Sequence, residues 1–205
     1  MPLNLYFATS EVAPFCGAYS LSTFSRRITT IYNEDPDLNI RVVHPKYGFI
    51  SERKYILREV IRLKDLPIEF DGKENIINLK SAFIPESRVQ VYFLQYNEYF
   101  KPLPELLYKA RNGRVYKDND EKFSFFSKVA LSALKDLFWA PDIVLCNDWQ
   151  TAMIPGLLNN KFKQDEFYQE MKTVFLLHSW NDTNRYYSKD IFAKLNMEPP
   201  TNDNV

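Results

Sequence analysis

Polar side chains that suit a hydroxylated ligand directly follow three apolar runs of this sequence. These side chains are Glu11 after the first run, Asn147, Asp148, Trp149 and Gln150 after DIVLC, and His178 and Ser179 after TVFLL. Carboxylates accept hydrogen bonds from sugar hydroxyls, and aromatic rings cover the apolar C–H faces of sugars. A carboxylate pair, a ring and an imidazole on neighbouring loops would therefore favour a polyhydroxylated ligand.

Each of these residues also has a purely structural interpretation. Asp148 could cap a helix that begins near Thr151, and Glu11 could face solvent. His178 could be a satisfied histidine at a strand end, and Trp149 could pack in the core. Spacing alone favours the structural interpretations. The strands and helices that carry the three loops therefore decide between a structural role and a sugar-binding role for these residues.

Five short runs rich in β-branched and aromatic residues predict strands: LNLYFATS, IRVVHP, VQVYFLQY, DIVLCND and TVFLLHS. Their near-continuous hydrophobicity is typical of strands covered on both faces, which favours a parallel sheet between two helix layers. Ligands of such open sheets bind outside the carboxyl ends of the strands, where the three polar loops fall. His44, which precedes Pro45, is predicted to be a structural strand end.

Helical periodicity is clearest in DNDEKFSFFSKVALSALKDLFW, residues 118–139, where apolar residues recur every three or four positions. Asp118, Asn119 or Asp120 can cap its start, and Pro141 follows its end. A shorter helix is predicted from about residue 20 to residue 33.

The segment from about residue 55 to residue 85 has a different pattern. Its runs EVIRL, PIEF and IINLKSAFI are broken by Pro67 and by the turn sequence DGKE at 71–74. We predict an antiparallel β-ribbon attached to the parallel sheet. The chain is thus expected to be one α/β domain, a three-layer Rossmann-like fold, with the ribbon within 52–95 and a flexible tail at 196–205.

Composition narrows the class of protein. The chain has 205 residues, 45% of them hydrophobic, and 26 basic residues balance 26 acidic ones, which gives no net field for nucleic acid or an anionic membrane. No signal peptide or membrane span is visible, so a cytoplasmic protein is expected. Cys16 and Cys146 lack partners at metal-ligand spacing and are predicted to be reduced thiols, with no metal site.

Other enzyme motifs are missing from the sequence. Its five glycines form neither a G-x-G-x-x-G fingerprint nor a P-loop, and there is no serine nucleophile elbow.

Four motifs together resemble the bacterial glycogen synthases and plant starch synthases, in the N-terminal half of their catalytic region. The motifs are SEVAPF (10–15), RVVHPKYGFI (41–50), YKDNDEKFSFFSKVAL (116–131) and PDIVLCNDWQTAMIP (141–155), in the family's order and at about its spacing. The resemblance covers nearly the whole chain and is loosest over 52–95.

This resemblance implies a GT-B glycosyltransferase, in which two Rossmann-like domains face a cleft. Such enzymes transfer glucose from ADP-glucose or UDP-glucose to the non-reducing end of an α-1,4-glucan. The anomeric configuration of the glucose is retained, and no further cofactor is used. The N-terminal domain mainly supplies the acceptor side. Glu11 matches the family's S-E-V/M-x-P glutamate, Asp148 and Trp149 match its H-D-W motif, and His178 matches the histidine that lies against the transferred sugar. An α-1,4-glucan or maltooligosaccharide and a C-terminal glycosyltransferase domain are the implied partners.

Several positions depart from the family pattern. Where the family has K-T-G-G-L, this chain has the residues Gly17, Ala18, Tyr19, Ser20 and Leu21. The lysine that meets the donor phosphates is therefore missing, and two glycines have become larger residues. Asn147 replaces the histidine of H-D-W, and Ser179 replaces the asparagine after His178.

These departures bear on activity. One preorganised donor to developing negative charge contributes about 3 to 4 kcal/mol in a transition state, and the chain shows no sequence for a second, nucleotide-binding domain. Three hypotheses stay open: a glucan-binding domain inactive alone, one half of an enzyme completed by another segment or polypeptide, and a regulatory or interaction module without sugar chemistry.

Overall fold

A computed structural model describes residues 2–101, 107–178 and 187–199 of the chain. Among these residues the chain forms one sheet of eight strands. The strands are β1 (Leu3–Thr9), β2 (Leu38–Pro45), β3 (Arg58–Glu59), β4 (Leu66–Phe70), β5 (Lys73–Phe83), β6 (Gln90–Gln95), β7 (Ile143–Asn147) and β8 (Lys172–Leu176). The predicted α/β class with a mostly parallel sheet is thereby confirmed.

The strand order β3-β5-β6-β2-β1-β7-β8 separates the sheet into two parts, with β4 paired to β5. From β6 to β8 all neighbours run parallel. At the other edge β5 runs antiparallel to β6, β3 and β4. The predicted ribbon is therefore present, and through β5 it continues the parallel sheet.

Helices cover both faces of the sheet. They are α1 (Ser20–Glu34), α2 (Glu52–Tyr55), α3 (Asn97–Phe100), α4 (Asn119–Asp136), α5 (Met153–Asn160) and α6 (Lys189–Lys194). Side chains alternate between faces along a strand. Thr9 contacts Ser25 of α1, whereas Tyr6 packs on Trp139 beyond α4, so α1 and α4 lie on opposite faces. This is the three-layer arrangement expected from the sequence.

Local differences from the prediction have identifiable causes. Helix α4 ends at Asp136 because Phe138 adopts a left-handed backbone (φ 51°) before Pro141 is reached. Asp118 does occupy the N-cap position, but its carboxylate forms an ion pair with Lys122 (2.7 Å) and caps no backbone N–H. The predicted strand EVIRL is wrong over Ile61–Leu63, which forms a 3-10 turn.

The inner strands bury both faces, as their composition predicts, and their few polar side chains are buried with them. His44 near the end of β2 is fully buried, edge-on to the rings of Tyr47 (5.4 Å) and Phe93 (5.8 Å), and burial lowers its pKa to about 3. Cys16 and Cys146 are buried free thiols, as predicted.

Replacing His44 with Leu should make the protein less sensitive to acid. An unfolded histidine titrates near pH 6.5. Between that pH and the folded pKa of about 3, the unfolded state binds the extra proton, so the free energy of unfolding falls as pH falls. One pH unit is worth up to about 1.4 kcal/mol, so the drop between pH 7 and pH 5 in urea unfolding should shrink by about 2 kcal/mol in His44→Leu.

A matched control is Gln95→Leu, which removes a polar side chain at the end of the neighbouring strand β6 but no titratable group. Its free energy of unfolding should keep the wild-type pH dependence. An equal drop in wild type and His44→Leu would contradict a neutral, buried His44.

Candidate functional site

Parallel pairing brings the three polar loops of the sequence to one edge of the sheet. Thr9 at the end of β1 is in register with Asn147 at the end of β7, and Asn147 is in register with Leu176 at the end of β8. Glu11, Asn147, Asp148 and His178, which follow or end these strands, are here called the strand-end site. Ser179 lies outside the described residues.

The fully buried side chain of Asn147 links the ends of β1 and β7 to α1 and to His178. Its amide nitrogen donates to Thr9 Oγ1 and to Ser25 Oγ, each at 3.0 Å, and its Oδ1 accepts from His178 Nε2 at 2.6 Å. The His178 ring also packs edge-on against Phe24 of α1, with centroids 4.4 Å apart. The exposed imidazole is thus held in one orientation, with Nε2 as the nitrogen that donates to Asn147.

Glu11 is completely buried in the loop after β1. Its Oε2 accepts the Tyr19 backbone N–H at 2.9 Å, whereas Oε1 has no hydrogen-bond partner. Burial raises the pKa of Glu11 to about 7, the Tyr19 hydrogen bond opposes this shift, and the Asp148 carboxylate adds to it. Glu11 is therefore an acid that changes charge near neutral pH, with one buried oxygen that no protein donor reaches.

Asp148 holds an unusual backbone conformation (φ 64°, ψ 179°) at the start of the 3-10 turn Trp149–Thr151. A non-glycine residue in this region costs of order 1 to 3 kcal/mol. The backbone N–H donates to Leu176 O (2.8 Å), and the carbonyl accepts from the backbone and hydroxyl of Thr151. The side chain does not cap the turn, and its Oδ1 is buried without a partner.

Trp149 is packed rather than presented, with 8% of its surface exposed. The rings of Tyr108 (5.5 Å) and Phe123 (5.3 Å) meet it edge-on, and its carbonyl accepts from the Tyr187 hydroxyl at 2.7 Å. A sugar-binding role for Trp149 stays a prediction. Gln150 beside it is fully buried, and neither polar atom of its side chain has a partner.

The loop at 17–20, where the resemblance leads one to look for donor-phosphate ligands, is occupied by an aromatic stack. The Tyr19 ring lies on the Tyr108 ring, with centroids 4.7 Å apart and planes 23° apart. Gly17 is exposed, and a Cβ there would meet no atom within 4 Å. The loop therefore has open space at its start and a large ring over the position beside Glu11.

Sequence reasoning missed residues that are distant in sequence and position the strand-end site through direct contacts. Thr9 and Ser25 orient Asn147, and Tyr108 with its neighbour Lys109 covers Tyr19. The strand-end position of Thr9 was a usable signal. Nothing local in the sequence indicated that the segment around Tyr108 returns to the loop at 17–20.

Neither a metal site nor a membrane-spanning helix is found in the described part of the chain. No group of three or more His, Cys, Asp or Glu side chains there could hold a metal ion. Likewise, none of the helices in that part is both long and apolar enough to cross a membrane.

Known proteins match the chain over most of its length. The family described as starch synthase catalytic domain matches residues 4–204. Glycogen synthases of Pelodictyon phaeoclathratiforme and Chlorobium chlorochromatii are 35% identical over 176 residues and 36% identical over 179 residues, and each match covers 86% of this chain. Because it covers only 36% of either relative, the chain spans about a third of their length.

A solved structure supports the fold independently. The catalytic domain of Starch Synthase IV from Arabidopsis thaliana, bound to ADP and acarbose, superposes with a TM-score of 0.71 at 22% identity. The superposition covers 87% of this chain and 34% of that one. Together, the family match, the relatives above 30% identity and the shared fold show that the chain belongs to the glycogen/starch synthase family, as part of the starch synthase catalytic domain.

Proposed function

We propose that this chain supplies the acceptor side of a glycogen/starch synthase-type glucosyltransferase and binds an α-1,4-glucan at the strand-end site. The observation that carries the proposal is a pair of buried carboxyl oxygens without partners, Glu11 Oε1 and Asp148 Oδ1, close enough that the Asp148 charge raises the pKa of Glu11. A buried acceptor without a donor costs about 1 to 3 kcal/mol. Sugar hydroxyls are donors that would remove this cost.

The surroundings of the two carboxyl groups suit a sugar. Asn147 anchors the His178 ring beside Asp148, and the rings of Phe24 and Tyr19 border the same end of the sheet. Carbohydrate ligands combine hydroxyls for the polar groups with apolar faces for the rings. A neutral Glu11 can donate as well as accept, which matches the dual character of a hydroxyl.

Transfer of glucose by the isolated chain is not expected. Gly17 has no side chain to neutralise a donor phosphate, and Tyr19 carries a large ring, stacked on Tyr108, at the position of a family glycine. About two thirds of the length of the relatives also lies outside this match. We therefore infer that a nucleotide-binding domain is needed to complete the cleft and its donor side.

An alternative is that the chain is half of a working enzyme completed by another segment or polypeptide. The anchored His178 favours it, since the ring is fixed by Asn147 at 2.6 Å yet stays exposed. In that case His178 would contact the transferred sugar, its family position, once the second half is present.

Calorimetric titration with maltoheptaose tests the binding proposal. Asp148→Asn should weaken binding about tenfold or more, because hydrogen bonds to charged groups contribute about 1.5 to 3 kcal/mol. Lys172→Gln, at the opposite end of β8, is the matched control and should bind like wild type. No binding up to millimolar sugar would instead favour an interaction module without sugar chemistry.

Glucose incorporation from ADP-glucose and UDP-glucose into glycogen tests inactivity separately. The isolated chain should stay within about tenfold of background, because a missing phosphate donor alone costs a factor of several hundred in rate. Robust turnover would contradict the proposal that the chain needs a second domain.

Glu11→Gln should remove one source of pH dependence from stability. The folded pKa of about 7 exceeds the unfolded value near 4.5, so the stabilisation is complete below pH 4.5 and is lost as pH rises through 7. The 2.5-unit difference corresponds to up to about 3 kcal/mol. Urea unfolding at pH 5 and pH 8 should therefore show a larger loss in wild type than in Glu11→Gln, whereas identical losses would mean that Glu11 is ionised throughout.

A further inference from the structure

Strand β8 lies at the outer edge of the parallel part of the sheet, yet its composition is typical of an inner strand. Among the described residues it pairs with β7 alone. From Thr173 to Leu177 it has no charged residue. Val174 and Phe175 point to opposite faces of the sheet, and they are 43% and 41% exposed. Leu177, just past the strand, is 44% exposed. Both faces of this edge are therefore apolar and open to solvent.

The backbone of β8 also presents hydrogen-bonding groups on its open side. The Lys172 N–H donates to a carbonyl just before β7 at 3.0 Å, and the Leu176 carbonyl accepts from an N–H just after β7 at 2.8 Å. Successive residues of a strand turn their backbone groups to opposite edges. Since Lys172 and Leu176 turn toward β7, Thr173 and Phe175 turn their N–H and C=O groups away from it.

The opposite edge of the sheet is protected against pairing with another strand. Strand β3 has only two residues there, Arg58 and Glu59, and both are charged and exposed. Short edge strands and charged side chains are devices that prevent sheets from pairing edge to edge. Strand β8 is five residues long and has no charge after Lys172. The contrast within one sheet favours pairing at the β8 edge.

We propose that the β8 edge is a dimer interface, at which β8 pairs antiparallel with β8 of a second copy of this chain. A two-fold axis perpendicular to the sheet makes such an interface self-complementary. In an antiparallel pair, residues that turn their backbone groups toward each other exchange both N–H···O bonds. Thr173 and Phe175 of each copy thereby bond to outward residues of the other copy, and the two sheets become continuous.

The charges around β8 favour a second copy in this orientation. Lys172 at the start of β8 and Glu170 just before it are exposed, and neither forms an ion pair in the described part of the chain. Parallel pairing of two copies would place each charge beside its counterpart, which is destabilising. Antiparallel pairing separates the like charges to opposite ends of the joined strands and brings Glu170 toward His178 of the second copy.

The strand-end site stays open in this dimer. Because the paired strands run in opposite directions, the carboxyl ends of the two sheets face opposite ways, and each copy keeps its own site. If the glucan proposal holds, the dimer binds two glucan chains at once, which raises its apparent affinity for a branched polymer. The dimer itself does not rest on glucan binding.

Sedimentation equilibrium of the whole chain at micromolar concentration tests the interface, and the wild-type chain should form a dimer. Thr173→Pro removes an outward N–H but no hydrogen bond to β7, as proline is tolerated on edge strands whose N–H faces solvent. Its dimer dissociation constant should rise at least about tenfold, because the symmetry removes the hydrogen bond twice. Thr173→Ala keeps the N–H, is the matched control and should dimerise like wild type.

Val174→Lys tests the same edge without changing the backbone pattern. Two copies of the new lysine would bring like charges to the pairing surface, as natural edge strands do to prevent association. The dimer dissociation constant should again rise at least about tenfold. Ile76→Lys replaces a residue of β5 that is 51% exposed, away from β8, and should dimerise like wild type.

Each outcome of these measurements decides for or against the interface. A chain that stays monomeric up to millimolar concentration, or a dimer that neither Thr173→Pro nor Val174→Lys weakens, would overturn the proposal. A synthetic peptide of residues 172–178 that binds a chain unable to dimerise would also overturn it, since the edge would then accept a foreign strand and not a second copy. Near-ultraviolet circular dichroism like that of wild type shows that the variants are folded, whether or not the chain binds maltoheptaose.

Discussion

The strand-end site depends on the hydrogen bonds of the Asn147 side chain. Thr9 Oγ1 and Ser25 Oγ already donate their protons to the carbonyls of Glu11 and Leu21. Each hydroxyl can therefore only accept further hydrogen bonds, and the amide of Asn147 provides one N–H to each, beside the Glu11 backbone N–H that Thr9 Oγ1 also accepts at 3.2 Å. A neutral histidine has one donor and one acceptor and could not serve both hydroxyls while also accepting from a neighbour. The asparagine at this family position thus fits the hydrogen bonds of this chain.

Tyr19 contacts both an acidic and a basic side chain, one through its backbone and the other through its ring. Its backbone N–H satisfies one oxygen of the buried Glu11, and its ring carries the ammonium of Lys109 on the outside. The buried Glu11 carboxyl group is thus bound by the backbone of Tyr19, and the Lys109 ammonium lies over its ring. A glycine here could keep the first interaction but not the second. The same substitution that fills the space beside Glu11 also provides an anchor for a cation that no local motif predicts.

The parts of this structure that could be predicted from sequence are those set by local pattern. Apolar runs that end at polar residues gave the five parallel strands, and their common direction was enough to bring Glu11, Asp148 and His178 to one edge. The Tyr19–Tyr108 stack and the burial of Trp149 depend on contacts between segments distant in sequence, which periodicity does not encode. The 3-10 turn at Ile61–Leu63 was missed because strand propensity depends strongly on context, so a short β-branched run does not by itself fix a strand.

Unsatisfied buried polar atoms at the edge of β1 and β7 support the proposal that this edge binds a ligand. Each such atom costs about 1 to 3 kcal/mol, and a whole domain is stable by only about 5 to 15 kcal/mol. Within the described residues, Ser10, Glu11, Asp148 and Gln150 carry such side-chain atoms in the loops that follow these two strands, and others lie elsewhere, on Tyr6, Tyr19, His44, Gln95, Asn119 and Ser124. Asp148 adds a strained backbone to the same short stretch. Under the proposal above, the hydroxyl groups of a bound glucan would offset the costs that fall at this edge.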